Sequence, residues 1–189
     1  MRLAGKVAVI TGGGSGIGLV SVRKFAAEGA NVLVADCNTQ FGNAAVEAAL
    51  QEGYDVSFIE TDVAREEHVE AMCEHSLESY GRLDILFHNA GGGGAIGPLT
   101  ETTAEDWNHT FDVLAKGVFL GIKHGARVMR RQGKGGAIAQ GSGRSLKFQK
   151  KSARNSRYSG ITKGSTGAEN KLRKLDTNET HNNQTDGAM

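Results

Sequence analysis

Two groups of residues near the start of the chain have the types and spacing to do chemistry. Thr11 to Gly18 reads TGGGSGIG, in which Gly12, Gly13, Gly14, Gly16 and Gly18 surround Ser15 and Ile17. A turn without side chains lets backbone N–H groups approach a phosphate closely, and a helix that starts there adds the positive end of its dipole. The spacing is G-x-x-x-G-x-G rather than the commoner dinucleotide pattern G-x-G-x-x-G. Gly13 and Gly14 allow other registers, but none places a lysine before a Ser or Thr as a P-loop requires. The second group is a single carboxylate, Asp36, which lies 18 residues beyond Gly18. That is close to the ~20-residue offset at which an acidic side chain accepts from the ribose hydroxyls of a dinucleotide. No Arg or Lys stands in the glycine turn or directly after Asp36 to attract a 2′-phosphate. Together these residues favour NAD over NADP. The competing accounts are an empty flexible turn and a solvated strand-end aspartate.

The flanking elements position both groups. Val7, Ala8, Val9 and Ile10 form a short apolar run that suits a strand buried on both faces. After the turn, Leu19, Val22, Phe25 and Ala26 recur at helical spacing up to Gly29, a natural C-terminal cap. NVLVAD (31–36) predicts a second buried strand that ends on Asp36. A helix over 41–51, a strand over 54–60, a helix over 65–80 and a strand over 83–88 follow. Asp62 is placed to cap the helix over 65–80. His68 and His75 on that helix, seven apart without a third ligand, read as surface residues. Strands that alternate with helices at these lengths predict βαβ units and a parallel sheet. In such a sheet ligands bind beyond the carboxyl ends of the strands. Gly12 to Gly18, Asp36, Asp62 and Asn89 to Gly91 all fall there.

TGGGSGIG, the Asp36 strand end, Asp62-Val63 and Asn89-Ala90-Gly91 resemble the short-chain dehydrogenase/reductase family, whose glycine motif is Thr-Gly-x-x-x-Gly-x-Gly. The resemblance covers residues 3–139. It implies an α/β, Rossmann-type doubly wound parallel sheet in three αβα layers, binding NAD. It also implies hydride transfer between the nicotinamide and an alcohol or carbonyl substrate. Gly12, Ser15, Gly16, Ile17, Gly18, Asp36 and its neighbour Cys37 would bind the cofactor. Asp62 and Val63 would border the adenine, and Asn89, Ala90 and Gly91 would shape the pocket and steady the sheet.

A long helix is expected over 104–131, with Thr103 and Asp106 resembling a capping box. Trp107, Phe111, Leu114, Val118, Ile122, Ala126 and Met129 form a stripe along it that reads as core or subunit interface. The family's Asn, which helps hold a proton-relay water, has its slot in this helix at Leu114. GGAIA (135–139) resembles a fifth strand.

Beyond that strand the pattern weakens. The family places a Ser before Tyr-x-x-x-Lys, so that the Lys ammonium on the same helix face lowers the phenol pKa. The corresponding residues here are Ser142, Tyr158 and Lys163. The Tyr–Lys spacing is i+5, which rotates the lysine by roughly 100° on a regular helix. Residues 1–139 hold 12 Lys/Arg against 17 Asp/Glu, whereas residues 140–189 hold 10 against 4. NETHNNQTDGAM (178–189) has the composition of a disordered tail, and the family's last strands are not recognisable. The expectation is therefore an NAD-binding domain over 1–142 and a divergent basic segment, partly disordered, over 143–189.

An NAD-binding relative with impaired catalysis is the alternative to an active oxidoreductase. Lys147, Lys150, Lys151, Arg154 and Arg157 suggest nucleic acid, but only Phe148 offers a stacking surface, and a solvated coil fits better. Cys37 and Cys73 have no metal-type spacing, and no apolar run approaches the ~18 residues of a membrane helix. With no signal-peptide pattern at the start, the expected setting is cytoplasmic. The expected partners are a small alcohol or ketone and, by resemblance, a second or fourth copy of the chain, with no nucleic acid and no membrane.

Overall fold

A computed structural model describes residues 1–92 and 94–141. The apolar run at the start forms β1 (Val7–Thr11), buried at every position. The glycine turn leads into α1 (Gly16–Ala27). Gly29 follows that helix at φ +90, where its N–H donates to Ala26 O (2.8 Å) and the N–H of Ala30 donates to Phe25 O (3.1 Å). This paired closure uses the last orphan carbonyls and aims the chain back to the sheet. β2 (Asn31–Asp36), α2 (Thr39–Gln51), β3 (Val56–Glu60), α3 (Glu66–Tyr80) and β4 (Ile85–His88) follow in turn.

The sheet is wholly parallel, in the order β3-β2-β1-β4, with β5 (Ala137–Gln140) beside β4. Alternation along the strands divides the core. Ile10, Val32, Val34 and Val56 pack with Val22 and Ala26 of α1 and Ala49 of α2. Val9, Leu33 and Leu86 pack on the opposite face with Val69 and Met72 of α3. A three-layer αβα architecture with a Rossmann-type strand order results, as expected. At the opposite end of the strands from the glycine turn, the buried Asp84 carboxylate accepts from Val7 N (2.9 Å) and from Arg82, tying the start of β1 to β4.

The expected long helix is divided in three. α4 (Ala104–Phe111) is capped by Thr103, whose hydroxyl accepts from Asp106 N (3.0 Å) and donates to the Asp106 carboxylate (2.7 Å). A π-helical turn spans Asp112–Lys116, and α5 covers Gly117–Arg131. Of the seven residues of the stripe expected to be core or subunit interface, only Met129 is buried. Trp107, Phe111, Leu114 and Ile122 are exposed, while Gly117, Leu120, Gly121, His124, Gly125 and Val128 are buried. The close approach of α5 depends on small residues instead. A Cβ on Gly117 would stand 3.0 Å from Val63 Cγ2, and one on Gly125 would stand 2.7 Å from Leu86 Cδ2.

Two smaller expectations are also corrected. Asp62 does not cap α3; its carboxylate accepts from Ala64 N (2.9 Å), and Arg65 occupies the cap position. His68 is half-buried, and its Nδ1 accepts from Asp62 N (3.2 Å), which fastens the loop after β3 to α3. None of the described helices is long and apolar enough to cross a membrane.

Candidate functional site

The carboxyl ends of β1, β2 and β4 bring together the glycine turn, Asp36 and Asn89–Gly91. Gly12 turns the chain out of β1 at φ +64, and its N–H donates to Ala35 O (2.7 Å). A Cβ there would meet Ala90 Cα at 2.9 Å. Gly18 is buried in the first turn of α1, where a side chain would collide with the carbonyl oxygen of Gly12. Gly16 has open space around it, but its φ of +53 lies in the left-handed region that L side chains rarely adopt. One glycine is thus required by contact and another by conformation.

Ser15, Gly16 and Ile17 are exposed on this turn. Ser15 occupies the cap position without a side-chain hydrogen bond, and no acidic residue stands in the first turn of α1. The first N–H groups of a helix have no intrahelical partner. Among the described residues no side chain caps them, and the helix's own first turn carries no negative charge, which suits a phosphate.

Asp36 is fixed beside that turn. Its Oδ2 accepts from Gly14 N (2.9 Å) and its Oδ1 accepts from Asn38 N (2.9 Å). A Cβ on Gly14 would stand 3.0 Å from Oδ2 and 3.0 Å from Gly42 N, so the turn, the carboxylate and the start of α2 fit together only without a side chain. Asn38 caps α2 by accepting from Phe41 N (3.0 Å). Cys37 is exposed as a residue, yet partial burial of its thiol, reinforced by the negative charge of Asp36, raises its pKa. The thiol therefore stays protonated at neutral pH.

The third side of the site is the joint between β1 and β4. Thr11, 1% exposed, accepts at Oγ1 from Asn89 N (3.1 Å) and Ala90 N (3.0 Å). Asn89 Nδ2 donates to the carbonyls of Thr11 (3.2 Å) and Gly12 (3.1 Å). Gly91 continues past Ala90 toward Leu114, where an added Cβ would stand a tight 3.3 Å from Leu114 Cδ2. Leu114 lies on the π-helical turn and lines a small cleft with Gly92, Gly94, His109, Thr110 and Val113. Val63 is buried, and its side chain and carbonyl both pack against Gly117.

Two residues to which the sequence assigned no role of their own shape this edge. Thr11 closes an otherwise apolar strand, and a lone hydroxyl there was the available signal. His88 is 5% exposed, its Nε2 has no hydrogen-bond partner among the described residues, and its ring lies where a Cβ on Gly121 would be. Burial lowers the His88 pKa and keeps the ring neutral. Ser142, Tyr158 and Lys163 lie outside the described residues, as does the proposed segment 143–189.

The family model described as "short chain dehydrogenase" matches residues 6–172. The chain belongs to the short-chain dehydrogenase/reductase family of oxidoreductases, whose members bind a nicotinamide cofactor. It is 43% identical over 146 residues to momilactone A synthase of Oryza sativa subsp. japonica, covering 75% of this chain and 51% of that protein. It is 39% identical over 142 residues to secoisolariciresinol dehydrogenase of Forsythia intermedia, covering 75% and 50%. Among solved structures, a short-chain dehydrogenase/reductase from Burkholderia phymatum in complex with NAD superposes with a TM-score of 0.71 at 36% identity. That match covers 74% of this chain and 50% of that one. Levodione reductase gives a TM-score of 0.70 at 34% identity, covering 74% and 54%. The chain thus spans about half the length of the curated relatives it matches.

Proposed function

We propose that the chain binds NAD in preference to NADP and belongs to an oxidoreductase that moves hydride between the nicotinamide and an alcohol or carbonyl substrate. The observation that carries this reading is the Asp36 carboxylate, held by Gly14 N (2.9 Å) at the edge of the open glycine turn. With two backbone donors on it, Asp36 is ordered before any ligand arrives, and its remaining lone pairs can accept ribose hydroxyls. Its charge opposes a 2′-phosphate. Gly12, Ser15, Gly16, Ile17 and Gly18 would hold the pyrophosphate, with Asp36 and Cys37 beside the ribose. Asp62 and Val63 would border the adenine, and Asn89, Ala90 and Gly91 would form the wall nearer the nicotinamide.

When bound, the nicotinamide supplies or accepts the hydride. In the oxidative direction Tyr158, as phenolate, would take the proton of the substrate hydroxyl while the carbinol hydrogen leaves as hydride. Lys163 would stabilise that phenolate, and Ser142 would orient the substrate oxygen. The i+5 spacing of Tyr158 and Lys163 favours a second reading, in which this chain binds NAD without efficient turnover.

One preparation tests both readings. NADH and NADPH titrations followed by fluorescence, together with a screen of alcohols and ketones, should give tighter binding of NADH. Turnover separates the active reading from the impaired one, and absence of NADH binding overturns both.

A further inference from the structure

Asp36 has a carboxylate neighbour across the sheet. Asp36 of β2 and Glu60 of β3 are register partners, each the last residue of its strand. Partners in adjacent parallel strands lie about 4.8 Å apart and point to the same side. Val32 and Val34 on β2, and Val56 and Phe58 on β3, pack on the face covered by α1 and α2. Alternation puts Asp36 and Glu60 on that face too, and the bond from Gly14 N to Asp36 agrees. Glu60 is exposed. Arg65, the first basic residue after it, is paired with Glu67. The same local field is felt at Cys37, whose thiol is raised first by partial burial and then by the charges of Asp36, Asp62 and Glu60.

We propose that Glu60 is a second cofactor-discriminating residue, its carboxylate standing beside Asp36 where the phosphate of a 2′-phosphorylated adenosine would have to sit. This rests on the reading that the edge takes a dinucleotide, and it divides rejection of NADP between two strands. Asp36 does two things there: it accepts from the ribose and it repels phosphate. Glu60 contributes repulsion alone, so its charge matters for the phosphorylated cofactor and hardly at all for the other.

The test is Glu60→Gln, which keeps shape and removes charge, with Glu60→Asp as the charge-preserving control. NADH and NADPH dissociation constants are measured for each protein at low and high salt. Removing one charge near a phosphate monoester should tighten NADPH binding by about three- to tenfold and leave NADH within about twofold. The gain should shrink at high salt, and Glu60→Asp should discriminate as the wild type does. If NADH binds normally and Glu60→Gln leaves NADPH unchanged, or shifts both cofactors equally, the proposal is overturned while the cofactor reading stands. If the wild type binds no NADH, the cofactor reading fails and this proposal fails with it.

Discussion

Asn89 donates twice to Thr11, from its backbone N–H to Oγ1 (3.1 Å) and from its side-chain amide to the carbonyl (3.2 Å). The amide also reaches Gly12 O (3.1 Å), so one side chain spans the gap between the glycine turn and the end of β4. Asn89→Ala should therefore lower stability by about 1–3 kcal/mol, the range for leaving buried polar groups unpaired. It should also weaken NADH binding, because the turn loses its brace. Urea denaturation and NADH titration of the same variant measure the two effects. A destabilised protein with unchanged NADH affinity would separate the joint from the binding site.

The two glycines of the turn should respond differently to alanine. At Gly18 the added methyl meets the carbonyl oxygen of Gly12, a backbone atom that cannot rotate aside, so Gly18→Ala should abolish NADH binding. At Gly16 there is space, and the cost is the left-handed backbone, about 1–2 kcal/mol. Gly16→Ala should fold less stably and bind NADH with reduced affinity. Equal affinity losses in both variants would show that conformation rather than contact governs the turn.

His88 should give the protein a pH-dependent stability. Burial lowers its folded pKa below the ordinary 6.5, so the unfolded chain takes up the proton more readily. The His88 contribution is thus fully present above about pH 6.5 and is lost as the pH falls toward the depressed folded value. The urea midpoint should drop between about pH 7.5 and pH 5, and drop less in His88→Leu, which removes the titrating ring and the unpartnered Nε2. The same ring fills the space over Gly121, so Gly121→Ala should cost about 1–3 kcal/mol by overpacking. His88→Ala in the same chain should relieve that cost. Additive losses in this double-mutant cycle would place the ring elsewhere.

Deleting Gly160 restores an i+4 interval between Tyr158 and Lys163. If the spacing alone limits turnover, the deletion should raise kcat with little change in NADH affinity, and the pH–rate profile should shift to lower pH as the phenol pKa falls. Unchanged turnover would mean that the spacing is not what limits the reaction.

Much of this architecture can be read from residue order because its signals are local. The all-apolar Val7–Ile10 run, the crowded glycines and the Gly29 closure each declare themselves within a few residues. Asp36 is legible because a charge ends a buried strand. The π-helical turn at Asp112–Lys116 carries no such local mark. Without it, Trp107 to Met129 looks like one helix with a single apolar stripe for the core or a subunit interface. The packed face is instead marked by Gly117, Gly121 and Gly125, whose value appears only when Val63, His88 and Leu86 are brought against them. Thr11 as a double acceptor and Glu60 as the partner of Asp36 depend on strand register, which a linear reading cannot supply.

The strand order also has a consequence in time. β1 lies between β2 and β4, and the bond from Val7 N to Asp84 closes a separation of 77 residues. At a synthesis rate of about 5–20 residues per second, one edge of β1 waits roughly 4–15 s on the ribosome for its second neighbour. The glycine turn and Asp36 are assembled from early, local pairings, whereas Asn89 arrives only when the late, long-range pairing closes. Thr11 and Asn89 are therefore the clasp of the nascent domain, and a complete cofactor edge would report that β1 has gained both its neighbours, before β5 is added.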